Sequence, residues 1–266
     1  MKPGFRLVLA ATLACSAAAH AAEPLTQTTI SVRSAGKEVA AWAFPIGAKV
    51  ELSAVGNTET RTARGMRFTG NVMGRIIAPA GETIVYGDDI ELVTADISPE
   101  HARAVHDLEA MTGPDQQYRG RMAEGRELTQ DEWKLQTAID VANMRRLAQI
   151  LDTFGWPGVR FAGRASQTAF LVLQHADHDS QRTYLPLLRD AVKRNDALGA
   201  HLAMLEDRVR LADGKKQLYG TQLSGNPPRF DPIEDEARVD ARRAAIGLPP
   251  LAEYAKMFGV SYPTAP

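Results

Sequence analysis

A chain of 266 residues is long enough for one large domain or two modest ones, and its 44% hydrophobic and 24% charged content is that of an ordinary globular protein. A formal net charge of -1 and the lack of any basic run exclude an electrostatic reason to bind nucleic acid or an anionic membrane surface. The single cysteine, Cys15, lies near the start of the chain.

The first residues read as an export signal. Lys2 and Arg6 form a positive n-region, Leu7 to Ala14 an apolar core, and Ala19-His20-Ala21 a small-x-small cleavage site. The expected signal peptide is residues 1–21, with a mature start at Ala22 or Glu23. Thr12 and Leu13 do not make a lipobox before Cys15, so ordinary secretion is favoured over lipidation. The mature chain then has neither disulfides nor thiol chemistry. No later apolar run is long enough to span a bilayer. The expected location is periplasmic or secreted.

Residues 22–97 read as a β-rich domain. Thr29-Ile30-Ser31-Val32 and Lys49-Val50-Glu51-Leu52 alternate, Val39 to Phe44 is β-prone, and Thr83 to Val93 suggests two short strands around Gly87-Asp88-Asp89. Gly36, Pro45, Gly47, Gly56, Gly70, Pro79 and Gly81 punctuate these runs at turn-like spacing. The phrase FTGNVMGRIIAPAGETIVYGDDIEL resembles the repeating strands of periplasmic lipopolysaccharide-transport β-jellyrolls over one repeat or two. A small β-sandwich is the general form of the same reading.

Ser98-Pro99 changes the character of the chain, since Ser suits an N-cap and Pro the first helical position. A helix follows through Ala102, Val105, Leu108 and Met111, with Thr112-Gly113-Pro114 expected to stop it. Thr129 and Glu132 make a capping box for a long helix ending at Gly155-Trp156-Pro157. Further helices are expected from Ser166 through Leu173, and over Leu187 to Val192 with Pro186 in the first turn. Leu198, Leu202, Leu205 and Val209 mark another. After an Asp213-Gly214 turn and a proline-rich loop from Gly225 to Pro232, Asp235 to Ile246 reads as a helix closed by Gly247. The fold class is therefore α+β: a small N-terminal β-rich segment, sandwich or jellyroll-like, followed by an all-helical domain over residues 98–260.

The densest polar cluster lies between Gln174 and Gln222. If the helix through Phe170 persists to Gln181, then Gln174, Asp177, His178 and Gln181 share one face. Buried polar groups need partners, and Asp207, Arg208 and the DGKKQLYGTQ loop are the nearest in sequence. Four roles are open to His175. It suits a general base oriented by Asp177 or Asp179, a metal ligand with His178 and Asp179, a ligand contact without chemistry, or a core histidine bonded to backbone. No strict metal motif is present, so no metal ligand is assigned. Arg208 can clamp an anion with its planar fork, or pair with Asp207 or Asp115 to tie helices together. Gln217, Tyr219, Thr221 and Gln222 surround Gly220, where backbone can approach a ligand closely. Asp115, Arg119, Asp140 and Asn143 form further polar clusters, while His101 and His106 look like surface positions and His201 lies beside an apolar stripe.

Taken in order, DQQYR, D-V-A-N, FGWPG, QHADHDSQ, EDR and GKKQLYGTQ, followed by ARRAAIGLPPLAEY, resemble an uncharacterised bacterial domain family over residues 99–254. Its pattern falls on Asp115, Gln116, Arg119, Asp140, Asn143, Gln174, His175, Asp177, Gln181, Asp207, Arg208, Gln217, Tyr219, Gly220, Thr221 and Gln222. The resemblance implies a domain and a site, and no reaction or cofactor.

The functional expectation is an envelope hydrolase or group-transfer enzyme. In it His175 is the acid or base, Asp177 its second carboxylate and Arg208 an anion stabiliser. Gln174, Gln181, Asp115, Arg119, Asn143, Gln217, Tyr219 and Gln222 would hold a polar small molecule, glycan or peptide. The alternatives are a non-catalytic binding or envelope-assembly module, with the β-rich segment docking on an envelope partner, and a buried polar network that only fixes helix packing.

Overall fold

A computed structural model describes residues 7–9, 25–34, 37–44, 49–62, 65–78, 81–123 and 125–262. Most of the expected leader therefore lies outside the described residues. Within it, β1 (Leu7–Leu9) pairs antiparallel with β4.

The described strands are β2 (Leu25–Ser34), β3 (Lys37–Phe44), β4 (Lys49–Thr62), β5 (Gly65–Ala78) and β6 (Gly81–Ile97). With β1 they form one antiparallel sheet in the order β1-β4-β5-β6-β2-β3. Alternation sets which side is buried: Ile30 and Val32 of β2 and Ala41 and Ala43 of β3 point inward. The two short strands expected around Gly87-Asp88-Asp89 are instead one continuous strand. Asp89 stays in the ladder because Arg67 of β5 grips its carboxylate through two nitrogens, and that pairing holds the carboxyl below its ordinary range.

Helix α1 (Pro99–Gln116) starts where expected, with the Ser98 hydroxyl accepting the His101 amide at 3.2 Å. It does not stop at Pro114. That proline sits in the last turn and removes a single amide donor, while its own carbonyl accepts from Gln117. The extension matters because it carries Asp115. After the short α2 (Arg119–Ala123), the Thr129–Glu132 capping box opens α3 (Gln130–Phe154), with both reciprocal bonds formed. Gly155, at φ 75°, ends α3 and seats the buried Trp156.

A short α4 (Val159–Ala162) and one 3-10 turn lead into α5 (Ser166–His175). Here the sequence expectation fails in an informative way. The helix ends at Ala176, which is extended, and Asp177 caps a new helix, α6 (His178–Lys193). Pro186 lies deep inside α6 rather than in its first turn. The carbonyl it leaves unpaired belongs to Arg182, and both residues are exposed, so water can take the place of the lost donor. In α7 (Gly199–Ala212), Leu202, Leu205 and Val209 are buried, but Leu198 is the exposed N-cap. The proline-rich loop from Gly225 carries the turn of a small hairpin of two-residue strands, β7 (Leu223–Ser224) just before it and β8 (Arg229–Phe230) within it. A 3-10 turn, α8 (Val239–Ala245) and α9 (Leu251–Lys256) complete the described chain, with Gly247 at φ 75° just past α8.

The main core joins the buried faces of α1, α3, α5, α6 and α7 around Leu108, Leu147, Leu173, Leu188 and Leu205. A smaller core of Ile233, Val239 and Leu251 closes the C-terminal segment. No described helix is long and apolar enough to cross a membrane.

Candidate functional site

The polar residues come from α1, α2, α3, α5, α6 and α7. The inward stripe of α3 is polar at its N-terminal end, through Gln136 and Asp140, before it becomes apolar at Met144, Leu147 and Leu151. Those two polar residues meet the last turn of α1. The Gln136 amide donates to the Asp115 carbonyl at 3.3 Å and to Asp140 Oδ1 at 2.9 Å, and its oxygen accepts the Tyr118 amide. Arg119 forms a two-pronged pair with Asp140, at 2.9 and 2.6 Å, and also donates to the Asp115 carbonyl at 2.8 Å. Gln136 is fully buried and was not singled out from sequence. Its signal was its place on the α3 stripe, in register with Asp140 and Met144.

Asp115 is only 1% exposed, and its partners explain how a carboxylate survives there. His175 Nδ1 lies 3.0 Å from Oδ1, the Gln116 amide donates to Oδ2 at 2.6 Å, and an Arg119 nitrogen stands 3.6 Å away. Burial pushes the carboxyl upward, but the His175 hydrogen bond and charge, then Gln116 and Arg119, outweigh it and hold Asp115 below its ordinary range. The other ring nitrogen of His175, Nε2, has no hydrogen-bond partner among the described residues, and the side chain as a whole is 15% exposed. His175 is therefore a ring fixed at one nitrogen and without a described partner at the other.

The carboxylate that orients His175 is thus Asp115, 60 residues away in sequence. Asp177, expected in that role, caps α6 instead. It accepts the Ser180 amide at 2.9 Å and the Ser180 hydroxyl at 2.7 Å, and these two bonds lower its carboxyl. Because α5 breaks at Ala176, Gln174 and Asp177 do not share a helix face. Asp179 is exposed and pairs with Arg182, while His178 turns to Asp213 at 3.1 Å. Among the described residues, no group of three or more His, Cys, Asp or Glu side chains is arranged to hold a metal ion.

Gln174 and Arg208 flank the same helix end. The Gln174 carbonyl accepts from Gln181 Nε2 at 2.9 Å and from Arg208 Nη1 at 2.8 Å. Gln181 also donates to the Ala176 carbonyl, so it secures the α5–α6 joint. The Gln174 side-chain oxygen and the Asn143 amide nitrogen are both buried without a partner among the described residues.

The Gln217–Gln222 loop is organised differently. Asp207, fully buried on α7, accepts the amides of Leu218, Tyr219 and Thr221 and the Thr221 hydroxyl at 2.6 to 3.0 Å. Gln217, also fully buried, bridges the Gln222 and Asp231 carbonyls and accepts the Gln222 amide. Gln222 donates to the Met204 carbonyl at 3.4 Å. Buried Arg243, also missed from sequence, donates to the Tyr219 and Pro249 carbonyls and lies 4.9 Å over the Tyr254 ring. Gly220 has φ 69°, and a Cβ there would meet Leu251 at 2.9 Å. These contacts make Gln217 and Asp207 clamps on the loop, while Tyr219 is half-buried with its phenol raised by that burial.

The remaining histidines are not joined to the Asp115–His175 pair. His101, expected on the surface, stacks on Phe161 at 3.8 Å, His106 is exposed, and His201 stacks on Phe170 at 3.9 Å.

No curated protein and no solved structure matches the chain. The model of a family of unknown function, DUF6624, matches residues 103–264, which takes in the helical region from α1 to α9 and every residue of the polar layer just described. Because that match spans more than half of the chain, the protein belongs to the DUF6624 family.

Proposed function

We propose that this protein is an acid–base catalyst of the cell envelope, a hydrolase or group-transfer enzyme, with His175 Nε2 as the atom that moves the proton. The observation that carries the reading is the asymmetry of His175. Its Nδ1 is held by a nearly fully buried carboxylate, while Nε2 has no partner among the described residues. An imidazole so placed takes a proton from water or an acceptor hydroxyl as that oxygen attacks the substrate, then returns it to the leaving group. Asp115 positions the ring and stabilises the transient imidazolium. Arg119, Asp140 and Gln136 in turn hold Asp115 and are positioning residues.

The polar substrate would lie against Arg208, whose one hydrogen bond goes to the Gln174 carbonyl and whose other guanidinium donors are unused among the described residues. The same unused capacity favours a second reading, a binding module that holds its ligand without changing it. The N-terminal features of a leader support export. Its short strand β1 is at the edge of the sheet, so cleavage near Ala21 removes only the pairing with β4. The remaining strands, a single antiparallel sheet in place of the expected sandwich or jellyroll, would dock on an envelope partner.

The test uses mature protein from the envelope fraction, with its start expected at Ala22 or Glu23 by mass spectrometry. Wild type, His175→Gln and Asp115→Asn are assayed on aryl esters, phosphate esters and glycosides. On any substrate turned over, His175→Gln is expected to lower kcat by about 100-fold or more at unchanged Tm. Asp115→Asn should lower kcat with little change in KM. Full activity in His175→Gln removes the proposal, and a ligand recovered intact after long incubation favours the binding module.

A further inference from the structure

The unexplained charge in the site is Arg208. Several arginines of the helical region, among them Arg119, Arg146, Arg189 and Arg210, meet a carboxylate. Arg208 meets none among the described residues, and its one hydrogen bond goes to the Gln174 carbonyl. That bond is redundant, since Gln181 already donates to the same oxygen at 2.9 Å. Burial lowers the Arg208 pKa and no neighbouring charge opposes it, so the cation is desolvated without compensation. Arg243 also lacks a carboxylate: it donates to two carbonyls and lies over an aromatic ring, and its Nη2 is buried without a partner among the described residues. Arg208 is only partly buried.

Two further polar atoms in this helical layer lack partners. The Gln174 side-chain oxygen belongs to the residue whose carbonyl Arg208 touches, next to His175. The Asn143 amide nitrogen lies on α3, three positions beyond the Asp140 that holds Arg119. Both atoms are sealed from solvent, so the donors a ligand can reach are the remaining N–H groups of the Arg208 fork, which suit an oxyanion.

We propose that Arg208 binds an anionic oxygen group of the substrate, a carboxylate or a phosphoryl group. The assignment rests on the acid–base reading only in calling the ligand a substrate. An anion neutralises the buried cation, and the fixed guanidinium places the ligand beside the residue that precedes His175.

The experiment measures Tm of the mature chain in sodium phosphate, sodium acetate and sodium chloride at matched ionic strength. The proteins are wild type, His175→Gln, Arg208→Gln, Arg208→Lys and Arg208→Met. Phosphate or acetate, at about tenfold its Kd, should raise the wild-type Tm about 3 °C above the chloride control. The response should persist in His175→Gln, weaken about tenfold in Kd in Arg208→Lys and vanish in Arg208→Gln. A larger phosphate response indicates a phosphoryl group, and a larger acetate response a carboxylate. Without ligand, Arg208→Met should melt no lower than wild type, because it removes an uncompensated buried charge. No anion response in wild type, an equal response in Arg208→Gln, or a marked fall in the ligand-free Tm of Arg208→Met each overturns the inference. Turnover separates the two proposals. Activity lost in His175→Gln without any anion response sinks only the anion site, and an anion response with undiminished His175→Gln turnover sinks only the acid–base role.

Discussion

His175 and His201 are both partly buried, and their neighbours give them opposite characters. His175 meets the Asp115 carboxylate at 3.0 Å. His201 lies parallel to Phe170, with centroids 3.9 Å apart and planes 1° from parallel, and burial alone pulls its pKa down to about 4. The sign of the pH effect follows. An unfolded chain takes up this proton near the ordinary histidine value of 6.5, and the folded chain only near 4, so stability is complete above 6.5 and falls across that window as pH drops. His201→Phe preserves a stacked ring and removes the titration. Urea unfolding should find it similar to wild type at pH 7.5 but on the order of 2 kcal/mol more stable near pH 4.5. Parallel stability profiles for the two proteins would show that His201 is not held neutral. At this scale the sequence marked His175 but not its partner. Nearby Asp177 and Asp179 were natural candidates by spacing, whereas Asp115 reaches the ring only because α1 runs through Pro114 and packs on α5.

Among the elements, the boundary at Ala176 and the Gln217–Gln222 loop decide most. A helix continued to Gln181 would have put Gln174, Asp177 and Gln181 on one face. The capping bonds of Asp177 to Ser180 end that possibility, and a stop at Ala176 leaves open carbonyls for Gln181 and Arg208 to satisfy. The loop, in turn, is built around one carboxylate. Removing it in Asp207→Ala leaves three amides and a hydroxyl without their acceptor, which should cost about 3–5 kcal/mol. Hydrogen exchange is the sharper readout: the amides of Leu218, Tyr219 and Thr221 should lose protection while those in the middle of α3 keep theirs. If the loop amides stay protected, Asp207 is not the clamp. The Q-x-YGTQ motif looked like a ligand surface from residue type alone. Buried Gln217 and Asp207 show instead that much of its polarity is spent on holding its own backbone.

For the whole molecule, the sheet and the helices are joined by a small, closely fitted contact. The Gln27 amide of β2 donates to the carbonyls of Arg160 and Phe161 at 3.2 and 2.9 Å. Beside it, Gly163 has φ 57°, and a Cβ there would lie 2.3 Å from the Ala43 carbonyl of β3. Backbone cannot yield as a flexible side chain can, so Gly163→Ala is expected to cost about 2–3 kcal/mol and loosen this contact. Calorimetry should then resolve separate melting of the sheet and the helical part, with an easier proteolytic cut near Ser98. An unaltered single transition would mean that the contact does not couple them.

Caps, turns and amphipathic stripes were legible because they depend on neighbours within about four residues along the chain. Ser98, the Thr129–Glu132 box, Gly155 and Gly247 all act where their spacing placed them. The helical region and the residue types of a polar layer were legible for the same reason. Which of those residues touch was not. Asp115 with His175, Arg119 with Asp140, Asp207 with the loop amides and Gly163 with Ala43 are set by how helices and strands pack, across separations that no local periodicity encodes. A buried polar group takes whichever partner packing brings within about 3 Å, and that choice turned Asp177 into a cap, Asp115 into the partner of His175, and Arg208 into a cation that meets a carbonyl but no carboxylate among the described residues.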